Sequence, residues 1–344
     1  MEAMPPLRKI FVASAILLSI ASPVSVTQHR KPADFSSAIK AAGDLDQLHS
    51  LLVSVRGELV LEHYAPQIDG RKLANIKSAS KSIISTLVGI AIARGLIKDV
   101  DDPIGRYLPQ LAGAPAEKRA ITIEDLLTMR AGLESTSGRT YGPWVRSRNW
   151  VQYALDRRLI SKPGTTMEYS TGTSHILSAI LTRVAKTSTW QFAQEALAKP
   201  LGFSLARWTR DPQGIYLGGN EMLMTPRQMI AFGELYLNRG AAKGRQIVPA
   251  DWVEESCRPR TRSAWDTTRE YGYGWWIQDV GGYRGCFAWG YGGQYIFTFR
   301  DLETVVVVTS STVSSEERRG YRRRLFALIR EQILEAIAGQ AEPA

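Results

Sequence analysis

The stretch Ser78–Ala93 restricts this chain more than any other. Ile83, Ile84, Leu87, Val88, Ile90, Ala91 and Ile92 leave a helix here almost no side suited to water. Such a helix has to be enclosed by other elements, and Gly95 can serve as its C-terminal stop. The rest of the chain must supply the enclosure. Leu51 to Tyr64 alternate about Arg56-Gly57, the pattern of a β-hairpin. From about 104 to 250 the reading is mostly helical, at Ile123–Met129, Val151–Leu155, Ser174–Ala185, Trp190–Ala198 and Pro226–Asn238. Strand patterns return at Tyr273–Gln278, Cys286–Trp289, Gln294–Phe299 and Thr304–Ser310, where the β-branched run Val305–Val308 reads as buried. An amphipathic helix over Glu316–Ala338 follows.

Strands at both ends with helices between predict an α+β fold. An antiparallel β-sheet is flanked by N- and C-terminal helices, and a large, mostly helical second lobe stands beside it. The folded domain is expected over 35–338, with an α/β lobe at about 45–100 and 255–338 and a helical lobe at about 101–254. A cleft between the lobes is the default ligand site.

With 344 residues, 44% of them apolar and 22% charged, the chain can bury a sizeable core without staples. That excludes a disordered tail, a collagen and a disulfide mini-scaffold. Its 43 basic and 33 acidic residues give a net charge of +10. Nucleic-acid binding needs such charge gathered on one surface. The densest run, Arg318, Arg319, Arg322, Arg323 and Arg324, follows Glu316 and Glu317 and reads as a solvated helix face, so no nucleic-acid partner is expected.

Arg8 and Lys9 precede an apolar run, Ile10–Ala21, that is short for a membrane span and suits a secretory signal. Residues 1–25 are therefore read as a signal peptide, with Ser19-Ile20-Ala21 a cleavage site. A periplasmic or secreted protein follows, with no stable membrane insertion after cleavage; an uncleaved anchor is the competing reading. Cys257 and Cys286 can pair in an oxidising compartment or remain two buried thiols, and the sequence leaves both open. His29, His49, His63 and His175 are isolated, so no metal site is expected.

Three segments could carry chemistry. A serine attacks a carbonyl only when a base takes its proton, and in Ser-x-x-Lys at a helix start the two side chains share a face. The tetrad occurs at Ser37–Lys40 and at Ser78–Lys81. The first lies in a polar stretch; the second opens the apolar helix, where desolvation would turn Lys81 into a base. A plain N-cap and a snorkelling lysine are the bland alternative. Tyr169, on the turn before the helix near Ser174, could relay protons if it faced a cleft, or it could simply pack under a loop. Gly290-Tyr291-Gly292-Gly293 at a strand edge lets a substrate approach the backbone, or else marks a bulge. A backbone N–H there and that of Ser78 would form an oxyanion hole.

In this order, Ser78-Ala79-Ser80-Lys81, Tyr169-Ser170-Thr171 and Ala288-Trp289-Gly290-Tyr291-Gly292-Gly293-Gln294 resemble the serine β-lactamase and penicillin-binding-protein superfamily. Within it they look like the class C-like branch of esterases, D-amino-acid amidases and 6-aminohexanoate-dimer hydrolases. Asp102-Pro103-Ile104, Tyr107-Leu108-Pro109, Ile121–Met129, Leu201-Gly202-Phe203, Met224-Thr225-Pro226 and Phe232-Gly233 are similar landmarks, and the resemblance covers about residues 45 to 335.

The resemblance implies a serine hydrolase acting on a small-molecule ester or amide through an acyl-enzyme, without a cofactor. Ser78 resembles the nucleophile, Lys81 its base, Tyr169 the proton relay, and the N–H groups of Ser78 and Tyr291 the oxyanion donors. Substrate contacts are expected from the Tyr141–Trp144 loop through Tyr141, from Asn220 and from Trp289. The family's basic residue is replaced by Ala288 and its Tyr-x-Asn reads Tyr169-Ser170-Thr171. Both departures argue against β-lactam or peptidoglycan substrates. A β-lactamase or D,D-peptidase, and a non-catalytic penicillin-binding-like envelope protein, are the alternatives.

Overall fold

The computed structural model describes Met1 and residues 33–313 and 318–339. The signal-peptide reading and the Glu316–Glu317 start of the last helix lie outside the described residues.

Eight strands form one antiparallel sheet: β1 (Leu48–Val55), β2 (Glu58–Tyr64), β3 (Thr261–Arg262), β4 (Glu270–Tyr271), β5 (Trp276–Val280), β6 (Tyr283–Gly290), β7 (Gln294–Phe299) and β8 (Thr304–Ser310). They lie in the order β2-β1-β8-β7-β6-β5-β4-β3, so the first hairpin joins the last strand in the middle of the sheet. The β1–β2 turn is the expected Arg56-Gly57, with φ of 52° and 81°. Positive φ at both central residues gives a turn whose twist matches that of its strands.

Alternation along β8 builds two cores. Val305 and Val307 face one layer, Val306 and Val308 the other. On one face, helix α1 (Ser36–Gly43) packs with a C-terminal helix running through Arg318–Leu328, a π-helical turn Ile329–Leu334 and Glu335–Ala338. Arg322, Arg323 and Arg324 of that helix are exposed, as a solvated face requires. On the other face lie α2 (Ser80–Ala93), α3 (Thr171–Ala185) and α4 (Pro226–Leu237), with the helical segments between about 101 and 254 behind them. Every residue of α2 from Ser80 to Ala91 is buried. A side chain at Gly89 would meet the Trp252 ring at 2.4 Å, so the helix is closed in even at its glycine.

Four local expectations change. The apolar helix does not begin as α-helix at Ser78: a 3-10 turn, Lys77–Ala79, leads into it. The strand expected at Tyr273–Gln278 starts only at Trp276 (β5), and residues 272–275 form a break between it and β4. Gly274 turns with φ +74° so that its carbonyl accepts from Ser82 Oγ at 2.7 Å, and a Cβ there would meet the Lys81 carbonyl at 2.9 Å. Helix α3 starts at Thr171 rather than Ser174, because hydroxyls distant in sequence cap it: Thr171 N–H donates to Ser137 Oγ and Gly172 N–H to Thr136 Oγ1. The segment Tyr141–Trp144 is not a loop. It lies in a short helix, Tyr141–Val145, with Trp144 fully buried and its Nε1 donating to the Trp150 carbonyl at 2.9 Å.

Cys257 and Cys286 are joined in a disulfide, their Cα atoms 5.8 Å apart. The bridge ties β6 to the end of the helix Ala250–Ser256 across 29 residues. Closing a loop of this length restricts the unfolded chain, so replacing both cysteines with serine is expected to cost about 2–4 kcal/mol of stability. Urea unfolding of the double variant checks this; an unchanged midpoint would contradict it.

Candidate active site

Three elements meet at the Ser78 turn. The 3-10 start of α2 carries Ser78 one turn ahead of Lys81. The N-terminus of α3 carries Tyr169 and Thr171. A loop from Asp211 to Asn220 brings the Gly219 carbonyl. Lys81 Nζ lies 3.2 Å from Ser78 Oγ, 2.7 Å from the Gly219 oxygen and 3.4 Å from Thr171 Oγ1. The same nitrogen sits 4.8 Å from the centre of the Tyr169 ring.

Lys81 is 3% exposed, and among the described residues no carboxylate bonds its amine. Burial alone brings it down to about 7. Tyr169 is half-buried, and desolvation of its phenol pushes it up to about 12, against a smaller opposing effect from its hydrogen bond with Ser78. At neutral pH the site thus holds an amine that gives up its proton readily and a phenol that keeps its own. The tetrad of α1 offers no such setting, since Ser37 and Lys40 are both exposed.

The Gly219 loop is anchored from below. His175, on α3, meets Asp211 at 3.0 Å through Nε2 and accepts from the Gly218 N–H at 3.4 Å through Nδ1. Accepting at Nδ1 leaves the proton on Nε2, directed to Asp211. Asp211 also accepts from the N–H groups of Gln213 and Ile215. A Cβ at Gly219 would meet Lys81 Nζ at 3.2 Å and Thr171 Cγ2 at 3.1 Å, so the close approach of carbonyl to amine is made by a residue without a side chain.

At the other side, the end of β6 lies against the Ser78 turn. A Cβ at Gly290 would fall 2.1 Å from the Ile76 carbonyl. Tyr291 follows in the glycine-rich turn, its side chain exposed. Ala288 is fully buried in the core that contains α2. Tyr141 and Asn220 are brought together, Asn220 Nδ2 donating to Tyr141 Oη at 3.2 Å. Trp289 is half-buried, with Trp276 at 5.6 Å and the Arg269 guanidinium 4.9 Å over its ring.

Several site residues escaped the sequence reading. Thr171 occupies the place of the family's asparagine and turns a hydroxyl to Lys81; the departure from the motif was the available signal. The Gly219 carbonyl left none, being backbone. Trp276 stacks on Tyr169 at 5.7 Å, and Trp265, 58% exposed, stands edge-on to it at 6.0 Å. Together they form an aromatic cluster around Tyr169, with Trp276 buried and Trp265 on the surface.

The Beta-lactamase family model matches residues 47–331. A 6-aminohexanoate-dimer hydrolase from Paenarthrobacter ureafaciens is 28% identical over 240 residues, covering 62% of this chain and 58% of that protein. An uncharacterized protein from Alkalihalophilus pseudofirmus is 26% identical over 217 residues, covering 60% of this chain and 61% of its own. The alignments thus span about three-fifths of the length of the curated relatives. Among solved structures, EstCE1, a hydrolase with promiscuous acyltransferase activity, superposes with a TM-score of 0.72 at 16% identity, over 86% of this chain and 98% of its own. At that identity it speaks for the fold. The family model covers most of the chain, and the chain belongs to the beta-lactamase family.

Proposed function

We propose that this protein cleaves an ester or amide of a small molecule through an acyl-enzyme on Ser78. The observation that carries the reading is the buried Lys81 amine, 3.2 Å from the serine hydroxyl and brought down to about 7 by burial. Neutral Lys81 accepts the Ser78 proton as Oγ attacks the carbonyl. The N–H groups of Ser78 and Tyr291 receive the oxyanion, each such donor contributing about 3–4 kcal/mol in comparable sites. Tyr169 remains a phenol, so it passes a proton to the departing alkoxide or amine and takes one back rather than acting as a standing base. Water then attacks the acyl carbon, gives its proton to the same pair and releases the acid and free Ser78.

The substrate enters past Trp265 and lies against Tyr141 and Asn220. The 6-aminohexanoate-dimer hydrolase likeness supports an amide, and the EstCE1 likeness an ester. Ala288 offers no cation for the carboxylate of a β-lactam, which favours other acyl compounds. The signal-like N-terminal run and the Cys257–Cys286 bridge support export to an oxidising compartment.

A fluorophosphonate probe is expected to label the wild type and Ser37→Ala but not Ser78→Ala; an unlabelled wild type overturns the reading. Protonation of Lys81 removes the base, so kcat/KM for a p-nitrophenyl ester should fall about tenfold per pH unit below a midpoint near 7 and stay flat above it. A profile without that acid limb would remove Lys81 from the role. The same ester should be turned over at least about a hundredfold more efficiently than a chromogenic cephalosporin, given the missing cation at position 288. Fast cephalosporin hydrolysis would make the protein a β-lactamase.

A further inference from the structure

Two residues flanking the catalytic contacts hold backbone conformations that side chains disfavour. Lys77, immediately before Ser78, has φ 50°, and Glu221, two residues after Gly219, has φ 67°. Each conformation is strained for a residue with a Cβ. The two side chains meet: Lys77 Nζ lies 2.9 Å from Glu221 Oε1, with the pair only 21% and 26% exposed. Asn75 closes the arrangement. Its Nδ2 donates to Glu221 Oε2 at 2.5 Å, and its Oδ1 accepts the Lys77 N–H at 3.0 Å.

The segments are joined beneath as well. Ile76 N–H donates to the Met222 carbonyl at 3.0 Å. Ser80 Oγ donates to the Lys77 carbonyl at 2.6 Å and accepts from Met222 N–H at 3.2 Å. These bonds fix the two segments side by side. They do not act on the side chains of the two strained residues, which the ion pair and Asn75 hold. The 3-10 turn carrying Ser78 and the loop carrying the Gly219 carbonyl are therefore locked at their two left-handed corners.

We propose that Lys77 and Glu221, with Asn75, form a positioning clamp that keeps the Ser78 hydroxyl and the Gly219 carbonyl at the separation Lys81 requires, and so sets the rate of acylation rather than substrate affinity. The clamp rests on the reading of Ser78 as nucleophile. It touches neither the reacting atoms nor the amine. A misplacement of about 1 Å at such a site can cost about a hundredfold in rate.

The experiment compares wild type with Glu221→Gln, Glu221→Gly and the charge-exchanged Lys77→Glu/Glu221→Lys protein. Fluorophosphonate labelling rate, kcat and KM for a p-nitrophenyl ester, and thermal unfolding are measured on each. Glu221→Gln keeps the shape and removes the charge. Glu221→Gly relieves the left-handed strain, so its backbone is no less stable, yet the clamp is gone. Both are expected to label and turn over about tenfold or more slowly, with KM within about twofold of wild type. The exchanged pair should recover to within about threefold. Either single variant reacting within twofold of wild type overturns the clamp, as does failure of the exchanged pair to recover while it unfolds at the wild-type temperature. A wild type that takes no label instead defeats the nucleophile reading itself, a separate and recognisable result.

Discussion

The Ser78 site depends on one amine taken out of water. A lysine in a protein interior ordinarily meets a carboxylate, which would keep it charged and useless as a base. Here its acceptors are a backbone carbonyl and two hydroxyls, all neutral: Gly219, Thr171 and Ser78. They orient the nitrogen without holding its proton strongly. The price in solvation is met by packing, since α2 is buried along nearly its whole length. The apolar character of that helix and the basicity of Lys81 are thus two aspects of one arrangement.

Close approach of backbone completes it. Gly219, Gly274 and Gly290 stand where the loop, the broken strand and the end of β6 press on the Ser78–Lys81 turn, and at each a Cβ would collide with or crowd a neighbour. The second effect is chemical. Desolvating the Tyr169 phenol pushes it upward while desolvating the Lys81 amine pushes it downward, because burial opposes the charged form of each. One dry pocket therefore produces a ready proton acceptor and a retained proton donor side by side.

Much of this was legible in the residues. The alternation of Leu51–Tyr64, the valine run of β8 and the all-round apolar helix announced a sheet covered on two faces. Context separated Ser78 from Ser37, since only the former opens a buried helix. What could not be read depends on partners far away in sequence. Helix α3 begins early because Thr136 and Ser137 cap it, and β4 and β5 separate because Gly274 reaches into α2. His175 looked isolated until folding placed Asp211 beside it. The Lys81–Gly219 contact involves a carbonyl, to which no pattern of side chains points.

The strand order has a consequence for how the chain is made. β1 and β2 emerge early from the ribosome, yet the neighbour that completes β1 is β8, some 250 residues later by the pairing of Leu51 with Val308. Until the last strand is synthesised, the first hairpin presents an unpaired apolar edge, open to association with other nascent chains. A chaperone that held the emerging chain extended would postpone that hazard until both ends can close the sheet together.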